Sequence, residues 1–263
     1  MVINDEGGTP VEPERWDLSD LLPEPGTPEM DAKLDEVEVR LTAFEAYREN
    51  LNSDLSVDAF QEILALYEAL YADVAALTAY SYLWFSEDTA AQEALAFRAK
   101  ANQFAADLEN RTLFFTLWWR QLAESAAERL LAVAGDAHYY LESLRRFKPY
   151  TLTEPEERII NVKDVNGINS VLTIYDMITM GFEFKLTVDG EEKSMTRGEL
   201  MSYASDPSPE LRAGAYQELY RVYGEERDVL AEIYAARVRD WHEEQVKIRG
   251  FDSPVSVRNL SND

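Results

Sequence analysis

The chain has 263 residues, enough for one large domain or two ordinary ones, and 46% of them are hydrophobic, so there is material for a sizeable buried core. Its 50 Asp and Glu against 25 Lys and Arg give a formal charge of -25, which repels phosphate backbones and disfavours nucleic-acid binding. There is no cysteine, which excludes disulfides, thiolate zinc sites and a thiol nucleophile.

The N-terminus, MVINDEGGTPVEPERW, is acidic and has no apolar centre, so it does not read as a signal peptide. No run approaches the length of a membrane span, and no membrane partner is expected. The expected address is the cytoplasm. Gly7, Gly8, Pro10, Pro13, Pro23, Pro25, Gly26 and Pro28 make residues 1–28 an irregular arm. Within it WDLSDLL (16–22) carries a tryptophan and three leucines that can dock on the body of the protein.

Thr27-Pro28 is a helix start, with a capping hydroxyl followed by proline at the first helical position. Leu34, Val37, Leu41 and Phe44 then recur at helical spacing. A second helix starts near Ser56, and its stripe runs from Phe60 and Ile63 through Tyr67, Leu70 and Leu77 to Trp84. Thr89 and Gln92 have capping-box spacing for a third long helix that runs into LFFTLWW (113–119), and Ser125 with Glu128 repeats the signal. DAHYYLESLRRF (136–147) reads as a shorter helix. Capped, periodic segments with short connections argue for antiparallel helices.

After Pro149 the texture changes. Thr153 to Glu156 opens another capped helix, and NGINSVLTIYDMITMG reads as a turn and a short helix ending at Gly181. FEFKLTVDGEEKSM alternates strictly, with Phe182, Phe184, Leu186 and Val188 on one face and Asp189-Gly190 as the hairpin turn. Thr196 and Glu199 cap the next helix. Ser208-Pro209 starts a final helical stretch that extends to Ile248, with a bend at Gly224 and a stop at Gly250.

The fold class is therefore mainly α, an antiparallel helical bundle lobe with one β-hairpin at about 182–195. The expected organisation is an arm over 1–28, a helical domain over 29–150 and a helical region with the hairpin over 151–263.

The sharpest chemical candidate is WHEEQVKIRGF (241–251). His242-Glu243 begins like H-E-x-x-H, in which two histidines one turn apart bind zinc and the glutamate activates water. The second ligand falls at Val246, which cannot coordinate a metal. A di-iron site of the Glu-x-x-His type fails too, because Gly135 and Arg239 stand three residues before His138 and His242. Neither a P-loop, nor G-x-G-x-x-G, nor G-x-S-x-G occurs. No catalytic, metal-ligating or substrate-binding residue is assigned. The aromatic stripes read first as core packing and second as the lining of a peptide channel.

Several phrases, taken in order, resemble the oligoendopeptidase F family, relatives of thimet oligopeptidase among the zinc metallopeptidases. WDLSDLLPEPG resembles its Trp-Asp-Leu-Ser-Asp-Leu opening. LTEPEERIINVKDVNGINSVLTIYD resembles its Leu-(Ser/Thr)-x-x-x-Glu segment and the Gly-containing stretch that follows. FEFKLTVDGEEKSMTRGEL is similar to its hairpin and next helix, and DPSPELRAGAYQELY to the helix before its RGF-x-S element, present here as RGFDS (249–253).

The resemblance implies a mostly helical clamshell that admits short peptides to a deep channel. It implies zinc held by H-E-x-x-H and a further Glu in a C-terminal half. The similarity ends before that half, so this chain is expected to bind no metal, to be inactive alone, and to form the N-terminal part of such an enzyme. It would wall the channel and restrict access, with short peptides and the catalytic half as partners. The alternatives are a free-standing helical peptide- or protein-binding scaffold and one half of a split peptidase. Apolar surface over 209–263 is expected to be exposed in isolation.

Overall fold

The computed structural model describes residues 16–89 and 91–262. The breakers from Gly7 to Pro13 lie outside them. The chain divides into two compact units, Met1–Leu141 and Glu142–Asp263. It is mainly helical, with one two-stranded antiparallel hairpin.

The first unit is built on three helices, α1 (Pro28–Glu45), α2 (Val57–Glu87) and α3 (Gln92–Gln121). Thr27 caps α1, with Pro28 at the first helical position, and Ser56 caps α2 by accepting from the Ala59 amide at 3.2 Å. Ring pairs fix the directions. Phe60, early in α2, stacks on Trp119, late in α3, at 5.5 Å, and Trp84, late in α2, meets Phe97, early in α3, at 5.6 Å. The two helices are therefore antiparallel. Phe44 closes the third side against Tyr67, Phe114 and Phe115. Bidentate pairing of Arg111 with Glu45, and its bond to Glu38, tie α3 to α1 at the surface, while Asp73 of α2 takes both Arg40 and Lys33 of α1.

Three expectations change here. Neither Thr89 nor Ser125 is a cap: α3 starts after Ala91 and the next helix, α4 (Glu124–Leu131), after Ala123, and neither start has a capping side chain. Ser125 instead lies inside the first turn. In the arm, Leu22 is buried with Met30, Leu77, Tyr80 and Ala101, but Trp16 stays about half exposed and contributes its backbone amide to Glu87. Lastly, α2 is long and apolar enough to cross a membrane by length and composition, with a window of mean hydropathy 1.3. Part of its apolar surface serves the protein core: Phe60, Ile63, Leu70 and Phe85 are fully buried, while 33% of that window as a whole is buried.

α5 (His138–Arg146) follows α4, and its Leu141 carbonyl accepts from the buried Trp119 indole at 2.7 Å. The second unit then runs α6 (Glu154–Asn166), α7 (Ile168–Met180), β1 (Phe184–Val188), β2 (Glu191–Met195), α8 (Arg197–Ser202), α9 (Pro209–Glu225), α10 (Arg227–Trp241) and α11 (Pro254–Asn262). The capping boxes at Thr153/Glu156 and Thr196/Glu199 both form. Gly167 joins α6 to α7 so tightly that a Cβ there would lie 2.6 Å from the Lys163 carbonyl oxygen.

In the hairpin Phe184 faces Met195 and Val188 faces Glu191, and both turn residues, Asp189 and Gly190, have positive φ. The inner face, Phe184, Leu186 and Val188, packs with Met195 on Leu200 of α8 and on Ala215 and Val222 of α9. The expected bend at Gly224 is a break between helices, centred on Glu226 with φ -101° and ψ 14°.

Candidate functional site

The stretch singled out by its sequence, 241–251, does become a structural centre, though not the one its histidine advertises. Beyond Trp241 the helix loosens into a π-helical segment, His242–Ile248. The Arg249 amide reaches back to the Glu244 carbonyl, and the Phe251 amide to that of Gln245. Such wide turns occur mostly where a helix must re-aim its side chains, often at functional positions. Gly250, at φ +82°, ends the segment in the left-handed region that glycine adopts freely.

The re-aimed side chain is Arg249. Its guanidinium binds both carboxylate oxygens of Glu157, each at 2.8 Å, and its Nε reaches Glu244 at 2.8 Å. Glu157 lies on α6 and is buried, and its Oε1 also accepts the Leu152 amide at 3.0 Å. Burial alone would lower the Arg249 pKa, but its bonds to Glu157 and then Glu244 hold the guanidinium firmly protonated. Beside this pair the Tyr150 and Phe251 rings stack at 3.5 Å. The LTEPEE and RGF phrases thus meet in space, 92 residues apart in sequence.

One turn group further on, Asp164 of α6, Asp240 of α10 and Glu244 bring carboxylate oxygens within 4.8 Å of one another. Burial first, and then the charges of Glu244 and Asp240, push the Asp164 carboxyl up to about 6 from its ordinary 3.8, against the pull of Arg237 and Arg249. A carboxyl whose pKa is higher folded than unfolded favours the fold when protonated. That contribution is complete below the unfolded value of 3.8 and is lost as pH rises through about 6. Lowering pH from 7 to 5 is therefore expected to stabilise the second unit, and Asp164→Asn to flatten that dependence. Urea midpoints read by Trp241, the second unit's one tryptophan, give the check.

These residues do not fit the zinc that the family resemblance implies. Zinc sites in proteins are built chiefly from His and Cys. Here the cluster is all carboxylate, and Glu244 is already held by Arg249. His242 is half exposed with Nδ1 3.5 Å from its neighbour Glu243, and His138 bonds the Leu131 carbonyl through Nδ1. Neither histidine joins a group of three metal-ligating side chains among the described residues. The sequence reading missed Glu157, Asp164, Asp240 and Arg249. The available signal was the seven-residue spacing of Glu157 and Asp164, which puts both on one face of α6.

The second feature is an apolar groove of about 500 Å³ between α7 and α10. α10 buries none of its residues, and Val229, Tyr234 and Val238 stand exposed alongside Ile174 and Met177 of α7. The expected exposure of apolar surface in 209–263 is present in this helix.

A family model described as Oligopeptidase F matches residues 119–184. Oligopeptidase PepF of Bacillus subtilis is 20% identical over 189 residues, covering 70% of this chain and 28% of that protein. Group B oligopeptidase PepB of Streptococcus agalactiae is 25% identical over 165 residues, covering 61% of this chain and 28% of that protein. The chain therefore spans under a third of the length of these curated relatives. The crystal structure of oligoendopeptidase-F from Enterococcus faecium superposes with a TM-score of 0.68 at 17% identity, covering 88% of this chain and 47% of that one, and shares its fold. The family-model match and the curated relatives support a likeness to the N-terminal portion of the oligoendopeptidase F family, and the crystal structure shows the same fold.

Proposed function

We propose that this chain is the non-catalytic N-terminal part of an oligoendopeptidase F-like metallopeptidase that hydrolyses short peptides, in which it walls the substrate channel and restricts access. The observation that carries the wall is α10. A helix with Val229, Ile233, Tyr234 and Val238 and no buried residue leaves water against apolar surface, which in a stable protein marks a face made for contact. Among the described residues no zinc set forms, and the catalytic chemistry is assigned to a further segment. The fold and the oligopeptidase relatives support the assignment.

The test compares cleavage of short quenched-fluorescent peptides with cleavage of a folded protein by the longer polypeptide that carries this chain. Short peptides are expected to be cut and the folded protein spared, while residues 1–263 alone cut neither. Equal cleavage of the folded protein would overturn the access role. Chelator-sensitive cleavage by residues 1–263 alone would overturn the non-catalytic one.

A further inference from the structure

We infer that the groove between α7 and α10 takes a short apolar peptide segment bearing an ammonium or guanidinium group, giving the channel wall a preference for cationic peptides. The inference rests on the channel-wall reading and goes beyond it in naming the substrate class. The groove's floor is aliphatic: Val171 and Ile174 from α7, Val229 and Ile233 from α10. The groove, about 500 Å³, is shallow and open, so a short segment lies against its floor without being enclosed. Both charged residues that line it are acidic, Asp228 and Glu232. Four residues apart on one helix, they share a face, about 5–6 Å apart at their Cβ atoms.

These carboxylates are committed only loosely. Asp228 meets Arg227 at 3.3 Å and Glu232 meets Arg239 at 2.7 Å, but all four side chains are more than half exposed. Exposed pairs of this kind contribute little, so an incoming cation displaces the arginines at small cost. The chain's charge of -25 acts at longer range, drawing cationic peptides in and repelling acidic ones. An aliphatic floor beneath two carboxylates is complementary to a peptide with leucine-like side chains and a positive charge beside them.

The experiment uses residues 1–263 and tetrapeptides whose C-terminus is amide-linked to a neutral fluorophore: acetyl-Leu-Lys-Leu-Leu, the same peptide with a free α-amine and Gln for Lys, and acetyl-Leu-Glu-Leu-Leu. Anisotropy gives affinity, and backbone amide shifts locate the site. Either cationic peptide is expected to bind about five- to tenfold more tightly than the acidic one, as two screened surface charge pairs allow, with the difference shrinking as salt rises. Comparing the two tells a lysine side chain from a terminal amine. Asp228→Asn with Glu232→Gln should remove most of the difference, leaving only the part set by the chain's overall charge, and Ile233→Asp should remove binding while leaving the fold intact, since α10 has no fully buried residue.

Equal affinity for cationic and acidic peptides, with shifts still centred on Val229 and Ile233, would overturn the charge preference and leave the channel-wall reading standing. Binding unaffected by Ile233→Asp, or no binding of any peptide, would overturn the groove as a site. Failure of the wider reading shows elsewhere, in cleavage of folded proteins by the longer polypeptide.

Discussion

Arg249→Ala is expected to cost the second unit about 3–5 kcal/mol, the usual penalty for stripping one partner from a buried ion pair. The Arg249 side chain is 14% exposed and that of Glu157 7%, so the glutamate left behind has no solvent to recover its charge. Arg249 also donates to Glu244 and lies beside the stacked Tyr150 and Phe251 rings, so α6 and the π-helical segment part together. Arg249→Lys keeps the charge but loses the two-pronged match to Glu157, and should recover only part of the loss. Arg249→Met with Glu157→Leu removes both charges at similar volume and should come closer to the parent than either single change. Urea denaturation followed at Trp241 decides it. A loss under about 1 kcal/mol for Arg249→Ala would put the pair among weak surface contacts.

Trp119→Ala should be as damaging to the first unit. Trp119 is completely buried, stacks on Phe60, lies 6.1 Å from Trp118, and bonds the Leu141 carbonyl. Truncating a buried aromatic costs about 3–5 kcal/mol through lost transfer energy and the cavity left behind. Trp119→Phe separates the contributions, because it keeps an aromatic ring in the stack and gives up the indole bond, worth about 1 kcal/mol, plus a smaller cavity. Circular dichroism is the suitable readout, since the change removes a fluorophore. A Trp119→Phe loss equal to that of Trp119→Ala would show that the bond, and not the ring, holds α3 to α5.

The fold was legible where the sequence states its own geometry. Thr27-Pro28, Ser56, Thr153, Thr196 and Ser208 each cap the helix they announce, and Asp189-Gly190 makes its turn, because those signals act within four residues. Thr89/Gln92 and Ser125/Glu128 show the limit of the same rule. A hydroxyl three residues before Gln or Glu caps a helix only if the chain turns there, and α3 and α4 start instead after Ala91 and Ala123.

The candidate site was less legible. H-E at 242–243 drew attention by its letters, whereas the working contact of that stretch is Arg249 with Glu157, visible only once two distant segments meet. The π-helical slip that aims Arg249 leaves no mark in hydrophobic spacing, which assumes an even 3.6-residue turn. The open α7–α10 groove was foreshadowed only in outline, as apolar surface over 209–263 left exposed in isolation.

The most direct measurement is to read the coding DNA beyond the codon for Asp263. An open frame is expected that reaches H-E-x-x-H and a downstream Glu, joined to this chain in one polypeptide. A stop codon directly after Asp263, with no zinc-bearing partner that restores peptide cleavage on mixing, would contradict it and leave a helical binding protein in its place.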